Sequence, residues 1–235
     1  MTKLVLHNYW RSSASHRVRI ALGLKKLPYE YVVVNILKSD QHADAYRSKT
    51  PMAQVPTLEI TEDDGAVWTL SQSLPIIEYL DERWPDPPLL PVNRPFTGDA
   101  VADRAIAFMR ARSRALAEIV NSGIQPLQNL TTTNRIKTLG GDVTAWVRPF
   151  IADGLAAYER LVIDTAKQLG RAPGPFSVGD APTVADCCLV PQLASARRFG
   201  VEIAALPLLL AIEERCLAIP AFADAMPDRQ PDAQH

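Results

Sequence analysis

The chain changes its hydrophobic rhythm once, near position 84. Before that point, short apolar runs alternate with helically spaced ones. Residues 3–6, continued by Tyr9 and Trp10, predict a strand. Ser12, Ser13, Ala14 and Ser15 follow as a cluster of helix-starting residues. Val18, Ala21, Leu22 and Leu24 then recur at helical spacing, with Arg17 and Arg19 expected on the other face. Pro28 breaks this pattern, and residues 29–34, aromatic and β-branched, predict a second strand. A short helix is expected over 41–49. Residues 56–60 and 66–70 flank a turn ending in Asp64-Gly65, a strong hairpin signal. Leu74, Ile77, Leu80 and Trp84 form one helical face, which Ser73 is expected to cap.

The order β-α-β-α-β-β-α, two parallel strands and then an antiparallel hairpin, is that of a thioredoxin-like α/β domain. Pro85, Pro87, Pro88, Pro91 and Pro95 then crowd a stretch that cannot be helix interior. Beyond it every pattern is helical: 100–130, 143–169, 183–199, 206–217 and 221–225. Thr183 and Asp186 form a capping-box start, and Pro191 predicts a kink or an early stop. The tail from Pro227 is polar and expected to be loose. The chain therefore reads as residues 1–84, an α/β domain, a linker over 85–96, and an all-α domain over 97–235.

Composition narrows the function. The net charge is −1, and the ten basic and ten acidic residues of the first 84 positions cancel. Nucleic-acid binding needs a basic surplus, so no nucleic-acid partner is expected. Cys187, Cys188 and Cys216 lack CxxC spacing, which argues against a disulfide framework and a zinc site, and fits a reducing compartment. His7, His16, His42 and His235 are scattered, so no metal is expected. The longest apolar stretch, 206–212, is too short to span a membrane, and the N-terminus lacks a signal-peptide core. A cytoplasmic, soluble protein is the expectation. Arg104, Arg110, Arg112 and Arg114 read as a solvated helix face.

Three polar groups carry candidate chemistry. The first is Arg11 to Arg17, between the first strand and the first helix. Redox thioredoxin-like domains keep a cysteine pair there, and this chain has none, so thiol–disulfide exchange is excluded. Hydroxyl and N–H groups at a helix N-terminus stabilise an anion, a bound thiolate included; serines there also serve as plain caps. The second is Gln54-Val55-Pro56, where proline is either cis, aiming the Val55 backbone at a ligand, or an edge-strand proline. The third is Gln72-Ser73, a cap or a carboxylate site.

These residues sit in motifs that resemble the zeta-class glutathione S-transferases, the class that includes maleylacetoacetate isomerase. Residues 12–22 read SSASHRVRIAL where the class signature is SSCSxRVRIAL. Residues 50–58 match NPxxQVPTL apart from Thr50, and 72–80 match QSLxIIEYL. In the helical part GIQPLQNL at 123–130, VGDxxTxADxxLVPQ at 178–192 and RQPD at 229–232 match as well. The resemblance covers nearly the whole chain and implies the glutathione transferase fold, a homodimer, and glutathione as cofactor. It implies that Ser12 stabilises the glutathione thiolate, with Ser13, Ala14, Ser15, His16 and Arg17 around it. Gln41 would contact the tripeptide, and Gln54, Val55 and Pro56 its cysteinyl backbone. Gln72 and Ser73 would hold the γ-glutamyl carboxylate. Gln125, Asn129, Leu130 and Thr131 would approach from the helical domain. Arg11 and Arg198 look like arginines for carboxylates of a dicarboxylate-type substrate. The implied activity is cis–trans isomerisation of maleylacetoacetate in phenylalanine and tyrosine catabolism. The alternatives are transfer of glutathione to small electrophiles such as α-halo acids, or maleylpyruvate isomerisation; a non-catalytic module fits the intact polar groups less well. Two departures stand out. Ala14 replaces the family cysteine, which removes a route to covalent inactivation. Leu130-Thr131 lacks the arginine that maleylpyruvate isomerases carry nearby.

Overall fold

A computed structural model of the chain describes residues 2–91 and 98–234. It divides into two compact units, Met1–Leu89 with Ile219–His235, and Leu90–Ala218. Pro95 and His235 lie outside the described residues.

The first unit is built on a four-stranded sheet of order β2-β1-β3-β4. Strand β1 (Lys3–Asn8) is buried along nearly its whole length, which explains its unbroken apolar run. It pairs in parallel with β2 (Glu30–Val33) and antiparallel with β3 (Thr57–Thr61), Leu6 facing Leu58. The hairpin to β4 (Val67–Ser71) turns at Gly65, whose φ of 86° suits glycine. Helix α1 (Ser13–Leu24) is the parallel crossover, and α3 (Ser73–Arg83) closes the unit; between them lie a 3-10 turn (Asp40–His42) and the short α2 (Asp44–Arg47). Leu6, Val18, Leu22, Leu58, Ile76 and Leu80 fill the core.

Three expectations for this unit need correction. Arg17 and Arg19 are buried rather than solvated. Arg19 loses its solvent because the C-terminal stretch returns to cover it: Nε and Nη2 donate to the Ala225 carbonyl at 3.2 and 3.1 Å. The C-terminal end, expected within the helical domain, therefore groups with the first unit through α10 (Pro220–Ala223). At Gly23 an added Cβ would stand 3.1 Å from Ala221 Cβ, so glycine is what lets α1 and α10 approach. The tail is tied rather than loose, since Asp232 bonds Trp10 and Tyr31.

The second unit is helical: α4 (Ala100–Glu118), a π turn (Ile119–Ile124), α5 (Gln125–Gln128), α6 (Leu130–Thr138), α7 (Val143–Gln168), α8 (Val184–Arg198) and α9 (Pro207–Leu217). The single helix expected over 100–130 is broken. Pro126 brings no N–H to a ladder, and Asn129 turns extended to cap α6 by accepting the Thr131 N–H at 3.1 Å. The π turn packs tightly: a Cβ on Gly154 of α7 would meet Ile124 Cγ1 at 2.5 Å. Pro191 does not stop α8, which runs on to Arg198 because most of its residues are buried against the unit. The capping box is formed. Asp186 accepts the Thr183 and Ser177 N–H groups at 2.7 and 2.8 Å, and Tyr158 donates to the Ala185 carbonyl at 3.0 Å. Burial pushes the Asp186 carboxyl up, and these bonds draw it partly back. The three cysteines are buried and form no disulfide among the described residues. Among those residues no helix is long and apolar enough to cross a membrane, and no cluster of His, Cys, Asp or Glu could hold a metal.

Candidate active site

The two long helices of the first unit, α1 and α3, have no acid in the first turn. In the second unit α4, α7 and α8 carry Asp99, Asp142 and Asp186 at their starts, while α5, α6 and α9 carry no acid there. An acid neutralises the positive end of a helix, so α1 and α3 keep theirs available to an anion. Ser12 is the N-cap of α1. Its Oγ accepts the Ser15 N–H at 3.2 Å, and its N–H donates to the Tyr9 carbonyl at 3.0 Å. A hydroxyl that accepts one bond still has a proton to donate, so Ser12 can cap its helix and hold an anion together.

At α3 the expectation of a Ser73 cap is not met. Gln72 is the N-cap, at φ 72° and ψ 125°, with no side-chain capping bond. Ser73 is instead the first helical residue, and its hydroxyl accepts Arg17 Nη1 at 3.1 Å in a buried contact. Gln72 Nε2 donates to Gln54 Oε1 at 3.2 Å. The candidate residues of this unit are thus joined in pairs, Arg17 with Ser73 and Gln72 with Gln54. The Val55–Pro56 peptide is cis. Neither backbone polar group of Val55 has a hydrogen-bond partner among the described residues, leaving a short peptide edge for a ligand backbone.

Other candidates sit lower. Ser12, Ser13 and Ala14 are half-buried, while Ser15 and His16 are fully buried and offer a ligand no side-chain surface. Burial, with Arg19 and Arg17 nearby, holds His16 well below the usual histidine range, so it is a neutral ring. Gln41 lies in the 3-10 turn with its Oε1 buried and unpartnered. Arg11 is exposed, its guanidinium 5.6 Å from the centre of the Trp10 ring.

On the second unit, Gln125 opens α5, and Asn129, Leu130 and Thr131 form the start of α6. Behind them Gln128 and Gln192 exchange amide bonds at 2.9 and 3.2 Å, which fixes α5 to α8. At the end of α8, Arg197 makes a two-pronged contact with Glu213 at 2.6 and 2.5 Å, and its neighbour Arg198, also exposed, lies 5.0 Å over the Phe199 ring.

Two supports were not foreseen. Tyr46 OH donates to the Gln54 carbonyl at 2.7 Å and pairs with Thr57 Oγ1 at 2.9 Å, bracing both sides of the Val55–Pro56 loop. A lone tyrosine in a four-residue helix gave no signal. Arg19 donates to the Asn8 side chain and to the Tyr9 and Trp10 carbonyls; burial pulls it down to about 10, still charged at neutral pH. An arginine two residues after Arg17 carried no hint of burial.

A thioredoxin-like unit with a serine in place of a redox cysteine, a cis-proline loop and two anion-ready helix ends defines a glutathione-binding class, and it is followed by an all-helical unit. Comparison with known proteins agrees. A family model for the glutathione S-transferase N-terminal domain matches residues 11–83. The chain is 43% identical to a maleylacetoacetate isomerase of Rhizobium meliloti, covering 96% of each. It is 42% identical to a maleylpyruvate isomerase of a Ralstonia species, covering 97% of this chain and 99% of the relative. A crystal structure of maleylacetoacetate isomerase from Anaeromyxobacter dehalogenans, with glutathione in its active site, superposes with a TM-score of 0.83 at 46% identity over 99% of both chains. Another structure of that protein holds dicarboxyethyl glutathione and citrate. The chain belongs to the zeta-class glutathione S-transferase family, the family of the maleylacetoacetate isomerases.

Proposed function

We propose that the chain is a glutathione-dependent isomerase that converts maleylacetoacetate to fumarylacetoacetate. The observation that carries this reading is the Ser12 hydroxyl at an acid-free helix start, next to a second such start at Ser73. Glutathione fits the donor set: it brings a thiolate, a γ-glutamyl carboxylate and a peptide backbone, and the unit offers the α1 start, the α3 start and the Val55 edge. When bound it supplies a thiolate that adds to the conjugated cis double bond, allows rotation, and is expelled unconsumed.

The protein's part is electrostatic and positional. Ser12 donates a hydrogen bond from its hydroxyl to the thiolate sulfur, and the α1 N-terminus adds its positive end. Each unit by which the thiol's pKa falls is about 1.4 kcal/mol of preference for thiolate, and one or two such units are within reach of a charge-assisted bond plus a helix end. Ser13 and Ala14 line this start. Gln72 and the Ser73 N–H hold the γ-glutamyl carboxylate, Val55 pairs with the cysteinyl backbone, and Gln41 and Gln54 add polar contacts. Arg11 and Arg198 are the proposed receivers of substrate carboxylates. Gln125, Asn129, Leu130 and Thr131 are proposed ligand contacts of the helical unit.

The same reading makes the protein a cytoplasmic enzyme of aromatic amino-acid breakdown and a homodimer. Three buried cysteines outside any disulfide suit a reducing compartment. Exposed Val67 and Trp68 on the edge strand β4 suit a subunit contact. The near-equal likeness to the Ralstonia protein favours one second reading, maleylpyruvate as substrate. Rates on maleylacetoacetate, maleylpyruvate and an α-halo acid, compared at one glutathione concentration, test the choice. The reading expects the first to be turned over fastest by kcat/KM; a higher value for either of the others overturns it.

A further inference from the structure

The RQPD motif at the end of the chain has no role in the chemistry above, yet it reaches the thiolate-binding loop. Gln230 Nε2 donates to the Asp224 and Met226 carbonyls, both at 2.8 Å, and the Ala233 N–H donates to the Gln230 carbonyl at 3.0 Å. The tail is folded on itself, and this delivers Asp232. One carboxylate oxygen accepts the Trp10 backbone N–H at 3.1 Å, and the other accepts the Tyr31 hydroxyl at 2.5 Å. On the far side, Arg19 Nη2 donates to the Trp10 carbonyl at 3.0 Å, and Nη1 lies 3.4 Å from the Tyr9 carbonyl that also takes the Ser12 N–H. The Trp10 residue is thus held at both its N–H and its carbonyl. Its ring carries the Arg11 guanidinium, and its chain leads two residues on to the Ser12 cap.

We propose that Asp232 is a positioning residue for the loop from Trp10 to Ser12, and so for thiolate stabilisation. This rests on the reading of Ser12 as the thiolate donor. A carboxylate is the strongest acceptor for a backbone N–H, and without it Trp10 loses its N–H partner and keeps only the Arg19 bond at its carbonyl. A hydroxyl displaced by a fraction of an ångström at the sulfur then loses strength in the bond that lowers the thiol's pKa.

The test compares full-length Asp232→Ala and Asp232→Asn with the wild type. The readouts are the glutathione concentration at half-saturation, the pH profile of kcat/KM and the melting temperature. Asn keeps an oxygen for the Trp10 N–H and an amide that can donate to Tyr31, so it is the conservative rescue. D232A is expected to need ~3–10-fold more glutathione and to move the acid limb of the profile up by ~0.5–1 pH unit, whereas D232N stays within ~2-fold of wild type. If D232A does not fold, Asp232→Glu, which shifts the carboxylate by one methylene, is read in the same way. A variant with lowered melting temperature but wild-type glutathione dependence and pH profile overturns the proposal. A wild-type enzyme indifferent to glutathione overturns the underlying reading and the proposal with it.

Discussion

Arg17 Nη1 donates to Ser73 Oγ at 3.1 Å, so the second turn of α1 is tied to the first residue of α3 by one buried hydrogen bond. Ser73 is asked to do two things, to receive this bond and to offer its N–H. Ser73→Ala removes only the first. Loss of a bond to a charged group costs about 1.5–3 kcal/mol. The expected result is a melting temperature lower by about 3–12 °C and a several-fold rise in the glutathione concentration for half-saturation, with kcat at saturation within about threefold. Ser73→Thr, which keeps the hydroxyl, is expected to restore most of both. Thermal melts and glutathione titrations check this.

Gln72 sits at φ 72° beside Ser73, a conformation that costs a non-glycine residue about 1–3 kcal/mol. Gln72→Gly should relieve that cost and raise the melting temperature by a few degrees, while removing the amide that bonds Gln54 and is assigned to the γ-glutamyl carboxylate. Stability and glutathione affinity are expected to move in opposite directions. A variant that is both less stable and equally tight for glutathione would contradict the assigned role.

These local relationships mark where the chain was legible. The continuous apolar run of β1, the Asp64-Gly65 hairpin and the Ser12 helix start could all be read, because each depends on residues close in sequence. The burial of Arg17 and Arg19 could not. A helical wheel assigns charged positions to solvent, and only the return of Ala225 and Asp232 to the first unit makes Arg19 an interior donor. The break at Asn129 was hidden for a related reason: the Ala, Arg and Leu pattern continues through Pro126 and masks the cap. At α3 the residue types were right and the roles differed by one position, since Ser73 accepts from a distant arginine instead of capping its own helix.

Asp186 takes three hydrogen bonds from Thr183 and Ser177 while fully buried. Asp186→Ala leaves those donors unsatisfied and removes one half of the α8 capping box, the Thr183 N-cap remaining, at a cost of about 2–4 kcal/mol. The expected fall in melting temperature is about 5–15 °C. Glutathione dependence of the surviving folded enzyme should be unchanged, as measured by titration below the new melting point.

Burial lowers both His16 and His7 from their ordinary value of 6.5, His16 strongly and His7 with help from Lys49. A histidine lowered in the folded state takes its proton more readily when unfolded. Stability is therefore complete above pH 6.5 and is lost as the pH falls below it, by up to about 1.4 kcal/mol per pH unit for each histidine. Urea denaturation across this range should show that slope, and His16→Asn should flatten it by close to one proton. An unchanged slope in the variant would show that His16 is not kept neutral by the fold.

Ser12 remains the residue on which the proposed chemistry turns, because its hydroxyl caps α1 and keeps a proton for the sulfur. The decisive measurement is the rate of maleylacetoacetate isomerisation by wild type and Ser12→Ala, with and without glutathione, while total glutathione is followed. The expected result is a wild-type rate that requires glutathione, a glutathione pool unchanged after many turnovers, and a loss of about 10- to 100-fold in kcat/KM at neutral pH for Ser12→Ala. Isomerisation that proceeds equally without glutathione, or that consumes it one for one, would contradict the mechanism.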